Sequence, residues 1–307
     1  MNIRPKTFDE FVGQDLAIRQ IRLALSSAKT RGDVIDHVLL VGPPGLGKTT
    51  IAHVIAGALG TRCIETNANA IKNASDATAS LVSLRRGDVI FIDEIHALPV
   101  HVQEYLYPAM EDYKLHMVSK VSQRTAISIE LHKFVLVGAT TIEGLLSAPM
   151  LDRFGIICRL RIYTDLEIRQ IVLTAAKKES IKVTDDALDL IASRARATPR
   201  VALRQLRRIR DSATAFGNSQ IITKDAALHA YSVLGIGHHG LTEQDLAVLK
   251  ALVNSEYAVG VAALASQINS TVQTIETVIE PHLMRIGAVE RTPRGRRVTE
   301  FGKKLLQ

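Results

Sequence analysis

Six short stretches of this sequence carry residue types that do chemistry. The first is GPPGLGKTT at positions 42–50, where Gly42, Gly47, Lys48 and Thr49 match G-x-x-x-x-G-K-[ST]. Glycines let backbone N–H groups curl around phosphate oxygens, and a following helix points its positive end at them. Lys48 would pair with the outer phosphates of a nucleotide, and the Thr49 hydroxyl would hold Mg²⁺. The second is DVIFIDEIH, in which Asp93 would hold Mg²⁺ through water and Glu94 would polarise an attacking water. The third is FVLVGATT, where Thr141, with Thr140 beside it, would hold that water or sense the γ-phosphate. The fourth, SAPMLDRFG, carries Arg153. Phosphoryl transfer needs positive charge on the γ-phosphate at the transition state, and an arginine given in trans can supply it.

The last two stretches are arginine-rich. In TPRVALRQLRRIRDSATAFG, Arg200 falls in the first turn of a helix, where the dipole disfavours a cation unless an anion is near. RTPRGRR, at 291–297, has proline and glycine at its centre and so reads as a turn. Arg291, Arg294 and Arg296 are spaced to track phosphates, which positions a protein on duplex DNA without reading its sequence.

The elements that must position these residues follow from apolar patterning. Val38–Val41, Val89–Ile92 and Phe134–Val137 are short, wholly apolar runs, fit for buried parallel strands, and each ends at a chemical motif. The helix after the phosphate loop stops at Gly60, and Ile156–Leu160 supplies a further strand after Arg153. The implied fold is an α/β core with a parallel sheet, ending near residue 164. Beyond it the chain turns helical. Thr198 and Pro199 open a helix whose stripe is Leu203, Leu206, Ile209, Ala213 and Phe216, ending at Gly217. From about 239 three helices are expected: one capped by Thr242, one over Val261–Ile268, and one kinked at Pro281. Strands Ala288–Thr292 and Arg297–Thr299 then bracket the turn, giving a winged helix. Between Glu94 and Thr141, YKLHMVSKVSQRTAISIEL alternates as a β-hairpin.

Composition narrows the class. The chain has 307 residues, a net charge of +7, 47% apolar and 22% charged residues, the balance of a globular protein with a polyanion partner. No apolar run has the length of a membrane span, the start MNIRPKTFDE lacks the features of a signal peptide, and Cys63 and Cys158 are expected as buried thiols of a cytoplasmic protein. The ten histidines show no metal-ligand spacing. From Arg194 to Arg210 there are seven arginines and no acid, which reads as lid surface.

Together, a phosphate loop, an acid pair, a threonine sensor, an arginine before the last strand and a lid arginine resemble an AAA+ ATPase. RPKTFDEFVGQ, DHVLLVGPPGLGKTT, RGDVIFIDEIH, LVGATT, LLSAPMLDRFG and RTPRGR, along essentially the whole chain, resemble the RuvB family of Holliday junction branch migration motors. The resemblance implies an AAA+ P-loop core over 1–164, a helical lid over 165–238 and a C-terminal winged-helix domain over 239–307. It implies ATP held at Gly45, Gly47, Lys48, Thr49 and Thr50, with Ile3 and Arg4 near the base. Glu111, Asp112 and Tyr113 would lie along the nucleotide, Tyr163 beside it, and Arg200 would be the lid sensor. Arg153 would be the arginine finger of a homohexamer. The hairpin, 114–131, would dock a RuvA-like junction-binding partner, with a RuvC-like resolvase as a further partner. Two positions depart from the family pattern: Ile142 and Leu151 stand where arginine is usual, and the hairpin tip lacks the usual Gly-Pro. A replication initiator or clamp-loader-like switch is the rival, since those proteins combine a similar core with a winged helix or helical collar.

Overall fold

The computed structural model describes residues 3–118, 126–217 and 221–307. The chain divides into two units, Met1–Tyr163 and Thr164–Gln307.

The first unit is a five-stranded parallel sheet. Its strands are β1 (Val38–Val41), β2 (Cys63–Asn67), β3 (Val89–Asp93), β6 (Val135–Thr140) and β7 (Ile156–Arg159), in the order β2-β3-β6-β1-β7. Helix α1 (Asp15–Arg31) precedes the first strand, and α2 (Lys48–Leu59), α3 (Ala74–Val82), α4 (Val100–Glu111) and the short α5 (Ala148–Leu151) lie in the connections. Successive strand residues face opposite ways, so the unbroken burial of Val89–Ile92 and of β6 means that both sheet faces are covered. On one face Leu39, Ile90, Ile92 and Leu136 pack with Leu81, Val102, Leu106 and Phe154. Strands β4 (Lys114–Val118) and β5 (Ala126–Glu130) pair antiparallel as expected, with Leu115 opposite Ile129; the tip without Gly-Pro lies outside the described residues.

The order of the sheet decides where the motifs go. Because β6 lies between β1 and β3, the carboxyl ends of three neighbouring strands bring together the phosphate loop, Thr140–Thr141 and Asp93–Glu94. The amino ends are held by His37. Its Nδ1 accepts from the Leu136 amide (3.0 Å), its Nε2 meets the Met110 carbonyl (3.0 Å), and its ring stacks on Phe134. Burial lowers its pKa to about 4, so the ring is neutral and bonds through both nitrogens.

The second unit is helical. A capping box formed by Thr164 and Glu167 opens α6 (Asp165–Lys178). Helices α7 (Asp185–Arg194), α8 (Pro199–Gly217) and α9 (Lys224–Val233) follow, and β8 (Lys182–Val183) pairs parallel with β9 (Ile221–Ile222). The side chain of Phe216, the last residue of the expected stripe, lies outside those described. The arginine run is not all solvated surface. Arg194 lies over the Tyr231 ring and donates to the Ile236 carbonyl, and Arg196 is ion-paired to the fully buried Asp245. Both are interior struts, recruited by carbonyls and an acid from 42 or more residues further on.

Then come α10 (Glu243–Val253), α11 (Val261–Gln267), α12 (Val272–Thr274), α13 (Glu280–Arg285) and α14 (Glu300–Lys304), with the hairpin β10 (Val289–Thr292) and β11 (Gly295–Val298). Leu249, Leu252, Leu264, Ile275, Ile279 and Leu283 form their core. The Pro281 kink takes the form of a π-helical turn, Ile275–Ile279, between α12 and α13. Proline has no amide hydrogen to give the preceding turn, which widens instead. The second wing strand begins at Gly295, two residues before the expected Arg297, because Thr292 pairs directly with Gly295 across Pro293–Arg294. Gly295 has φ +137°, and a Cβ there would sit 2.4 Å from the Val259 carbonyl oxygen, so no other residue fits.

Candidate functional site

The phosphate loop owes its shape to glycine. Gly42 (φ +150°), Gly45 (φ +83°) and Gly47 (φ +102°) all have positive φ, and a Cβ on Gly42 would meet the Leu160 carbonyl oxygen at 2.9 Å. Two rings lie beneath Gly47. Tyr163 donates its hydroxyl to the Leu46 carbonyl (3.0 Å), and Phe11 lies 3.2 Å from where a Gly47 Cβ would be. Tyr163, expected beside the nucleotide, is bonded to the loop itself; Phe11 was not among the expected site residues. Lys48 is 7% exposed and donates to the carbonyls of Gly42 (2.6 Å) and Pro43 (3.2 Å), which folds its ammonium back over the loop mouth. Thr49 and Thr50 open α2, where unpaired amides and the helix dipole favour an anion.

Asp93 ends β3 with one carboxylate oxygen fixed by the Glu94 amide (3.1 Å). Glu94 takes the left-handed conformation (φ 49°), which turns its side chain out of the strand direction. Its Oε2 accepts from the Thr141 hydroxyl (3.1 Å) and lies 3.3 Å from His96 Nδ1. Thr140 is fully buried, with its hydroxyl 2.8 Å from the same His96 nitrogen and accepting from the Ile142 amide. The two threonines therefore divide the work. Thr141 meets the acid, while Thr140 braces His96, which the sequence reading left out. A threonine hydroxyl and a carboxylate are hard oxygen donors of the kind that suits Mg²⁺, and both Thr49 and Asp93 are partly accessible at the same end of the sheet.

Glu111, Asp112 and Tyr113 are elsewhere. Tyr113 sits edge-on to Phe134 and His37, at the amino ends of β6 and β1. Arg153, just before β7, joins them through an ion pair with Glu111 (3.1 Å). A four-residue strand spans about 13 Å, so this group stands a strand's length from the chain's own phosphate loop. Residues 111–113, expected along a nucleotide, therefore stand at the opposite end of the sheet from the chain's own phosphate loop. They share an edge with Arg153. Of the remaining expected contacts, Ile3 is half-buried, while Arg4 and Arg200 are exposed.

The wing is also more selective than its sequence. Arg296, with 11% of its side chain exposed, donates to Glu280 (2.9 Å) and Glu276 (3.1 Å). Arg291 donates through Nε to the other Glu280 oxygen (2.9 Å), with half its side chain in solvent. Burial alone would raise the Glu280 carboxyl, but the bonds from Arg291 and Arg296 outweigh it and hold it below the usual range. Arg296, expected to track phosphates, is thus held within the wing by two acids one helical turn apart. Arg294, at the hairpin turn, and Arg297, on the outer face, are exposed.

Among the described residues no helix is long and apolar enough to cross a membrane, and no His/Cys/Asp/Glu cluster could hold a metal. Three family models cover the chain: the Holliday junction DNA helicase RuvB P-loop domain over residues 3–160, the RuvB AAA lid domain over 163–237 and the RuvB C-terminal winged helix domain over 238–307. The chain is 45% identical to the Holliday junction branch migration complex subunit RuvB of Thermotoga maritima, across 99% of this chain and 92% of that protein. It is 44% identical to its counterpart in Tropheryma whipplei, across 98% and 88%. A solved structure of the Thermotoga maritima RuvB Holliday junction branch migration motor superposes with a TM-score of 0.86 at 43% identity, over 99% of this chain and 98% of that one. By sequence, domain composition and fold, the chain belongs to the RuvB family of P-loop AAA+ ATPases.

Proposed function

We propose that this chain is an ATP-driven translocase of double-stranded DNA that moves the branch point of Holliday junctions, acting as a homohexamer with a RuvA-like junction-binding partner. The observation that supports it most is the division of the ATPase residues between opposite ends of one sheet. Lys48, Thr49, Asp93, Glu94 and Thr141 gather at the carboxyl ends, and Arg153 stands at the amino ends. A γ-phosphate held by the first group is out of reach of the chain's own Arg153, so a second copy must bring its amino-end edge to the site.

In that reading Lys48 and the loop amides bind the β- and γ-phosphates, and Thr49 and Asp93 would hold Mg²⁺, which would neutralise phosphate charge. Glu94, aimed by Thr141 and braced by His96, takes the proton of the attacking water. Arg153 of the neighbour, with Glu111, Asp112 and Tyr113 beside it, completes the site, and its guanidinium balances charge as the γ-phosphate leaves. Arg200 serves as the lid sensor, with Ile3 and Arg4 near the base. Domain limits at about 164 and 238 then separate core, lid and winged helix. Arg294, and the free end of Arg291, hold duplex phosphates, while the hairpin at 114–131 docks the partner; a RuvC-like resolvase is a further associate in a cytoplasmic repair complex.

The test is steady-state ATP turnover alone, with duplex DNA, and with a four-way junction plus the RuvA-like partner, alongside migration of a labelled junction. Turnover that rises with DNA and partner, and junction movement that needs ATP, support the motor. ATP binding without DNA-stimulated turnover contradicts it and favours a nucleotide-gated initiator or loader.

A further inference from the structure

The support beneath Arg153 is a built structure. On α4, Gln103, Tyr107 and Glu111 recur every four residues and so share a helix face. Gln103 is buried and donates to the Leu98 carbonyl (2.9 Å). Its Oε1 accepts from the Ser147 hydroxyl (2.9 Å), which is 3.1 Å from the Tyr107 hydroxyl. The Tyr107 ring in turn lies under the Arg153 guanidinium, 3.9 Å from its centroid to Cζ. Glu111 (3.1 Å) and the Pro149 carbonyl take the two terminal nitrogens. Only 17% of the Arg153 side chain is exposed.

These contacts differ in what a phosphate would do to them. The Glu111 carboxylate, 55% exposed, occupies an N–H donor that an incoming phosphate would compete for. The ring face does not compete, because it meets the guanidinium plane and leaves the N–H edge open. We infer that Tyr107, tied through Ser147 to the buried Gln103, is the positioning platform that presents Arg153 to the neighbouring subunit's nucleotide. This rests on Arg153 being the trans-acting finger. It also joins two sites, since the chain segment that begins at Glu94 leads within a few residues into the helix that carries the platform.

The test is a mixing experiment on the full chain. Tyr107→Leu is expected to lower turnover about tenfold, the worth of a partly desolvated cation–π contact, while binding fluorescent ATP as wild type does. Tyr107→Phe, which keeps the ring, is expected to stay within about twofold. Mixed with Glu94→Gln subunits, whose own Tyr107 and Arg153 are intact, Tyr107→Leu subunits are expected to regain turnover in parallel with Arg153→Ala subunits. If Tyr107→Leu impairs nucleotide binding, Tyr107→Met fills similar volume without a π face and replaces it. Full activity of the ring-less variant, or no recovery on mixing while Arg153→Ala recovers, overturns the inference. Failure of Arg153→Ala itself to recover overturns the trans finger, and the platform with it.

Discussion

The phosphate loop and the wing both gather groups that suit an anion, and they are built in opposite ways. The loop is made of backbone: three glycines in left-handed or extended positive-φ conformations, a helix start, and one lysine. The wing is made of side chains, and acids borrowed from the preceding helix hold two of its arginines. A backbone site depends on nearby residues alone, so a short motif is enough to specify it. A side-chain site depends on which partners the fold brings up, and Glu276 and Glu280 lie 11 to 20 residues before the arginines they hold. Counting arginines in RTPRGRR therefore overstates the charge the wing leaves unpaired at its surface.

That contrast can be broken from either side. The largest effect is expected at the loop end of the sheet, where Glu94→Gln should lower ATP turnover about 10²–10⁴-fold while leaving nucleotide binding intact, as read by steady-state turnover and fluorescent ATP. At the wing, Glu280→Ala leaves Arg296 buried with one partner instead of two, and should destabilise the second unit by about 3 kcal/mol in a denaturant melt. An unchanged melting curve would mean that the arginines rearrange freely and that the wing is softer than its geometry. Acid should weaken both units through their buried histidines. Burial lowers His37 and His282 to about 4 from an ordinary 6.5, so the unfolded chain binds protons that the folded chain does not. Their stabilisation is complete above pH 6.5 and is lost as pH falls toward 4, up to roughly 3 kcal/mol for each ring. Melts across that range check it. The smallest effect is at the hairpin turn. Arg294→Ala should weaken duplex binding about tenfold and reduce the slope of log affinity against log salt by about 0.9, with no change in melting. Arg296→Ala should do the reverse, lowering stability while leaving the salt slope alone.

Much of the molecule was legible in the sequence, for reasons that residues make plain. The three central strands, β1, β3 and β6, are largely apolar runs, and each carries its motif at the end where parallel topology must put it. Thr141 could be chosen because its strand falls between the other two. Three things were hidden. The side of the sheet occupied by residues 111–113 depends on the path of α4, which no local pattern specifies. The roles of Arg194, Arg196 and Arg296 depend on distant acids and carbonyls, so a run of arginines reads as surface until the fold supplies the partners. His96 and Tyr107 look like ordinary helix residues, and only contacts across the sheet edge show one beside Glu94 and the other under Arg153.

The central claim is that each active site is shared between two copies of the chain, and mixing inactive subunits tests it most directly. Arg153→Ala and Glu94→Gln chains, each inactive alone, would be combined at equal amounts and assayed for ATP turnover with duplex DNA. In a ring of heterologous contacts about one interface in four joins an intact Glu94 to an intact Arg153, so turnover should recover to about a quarter of wild type. A mixture as inactive as its parts, under conditions where the two variants co-assemble, would contradict the shared site.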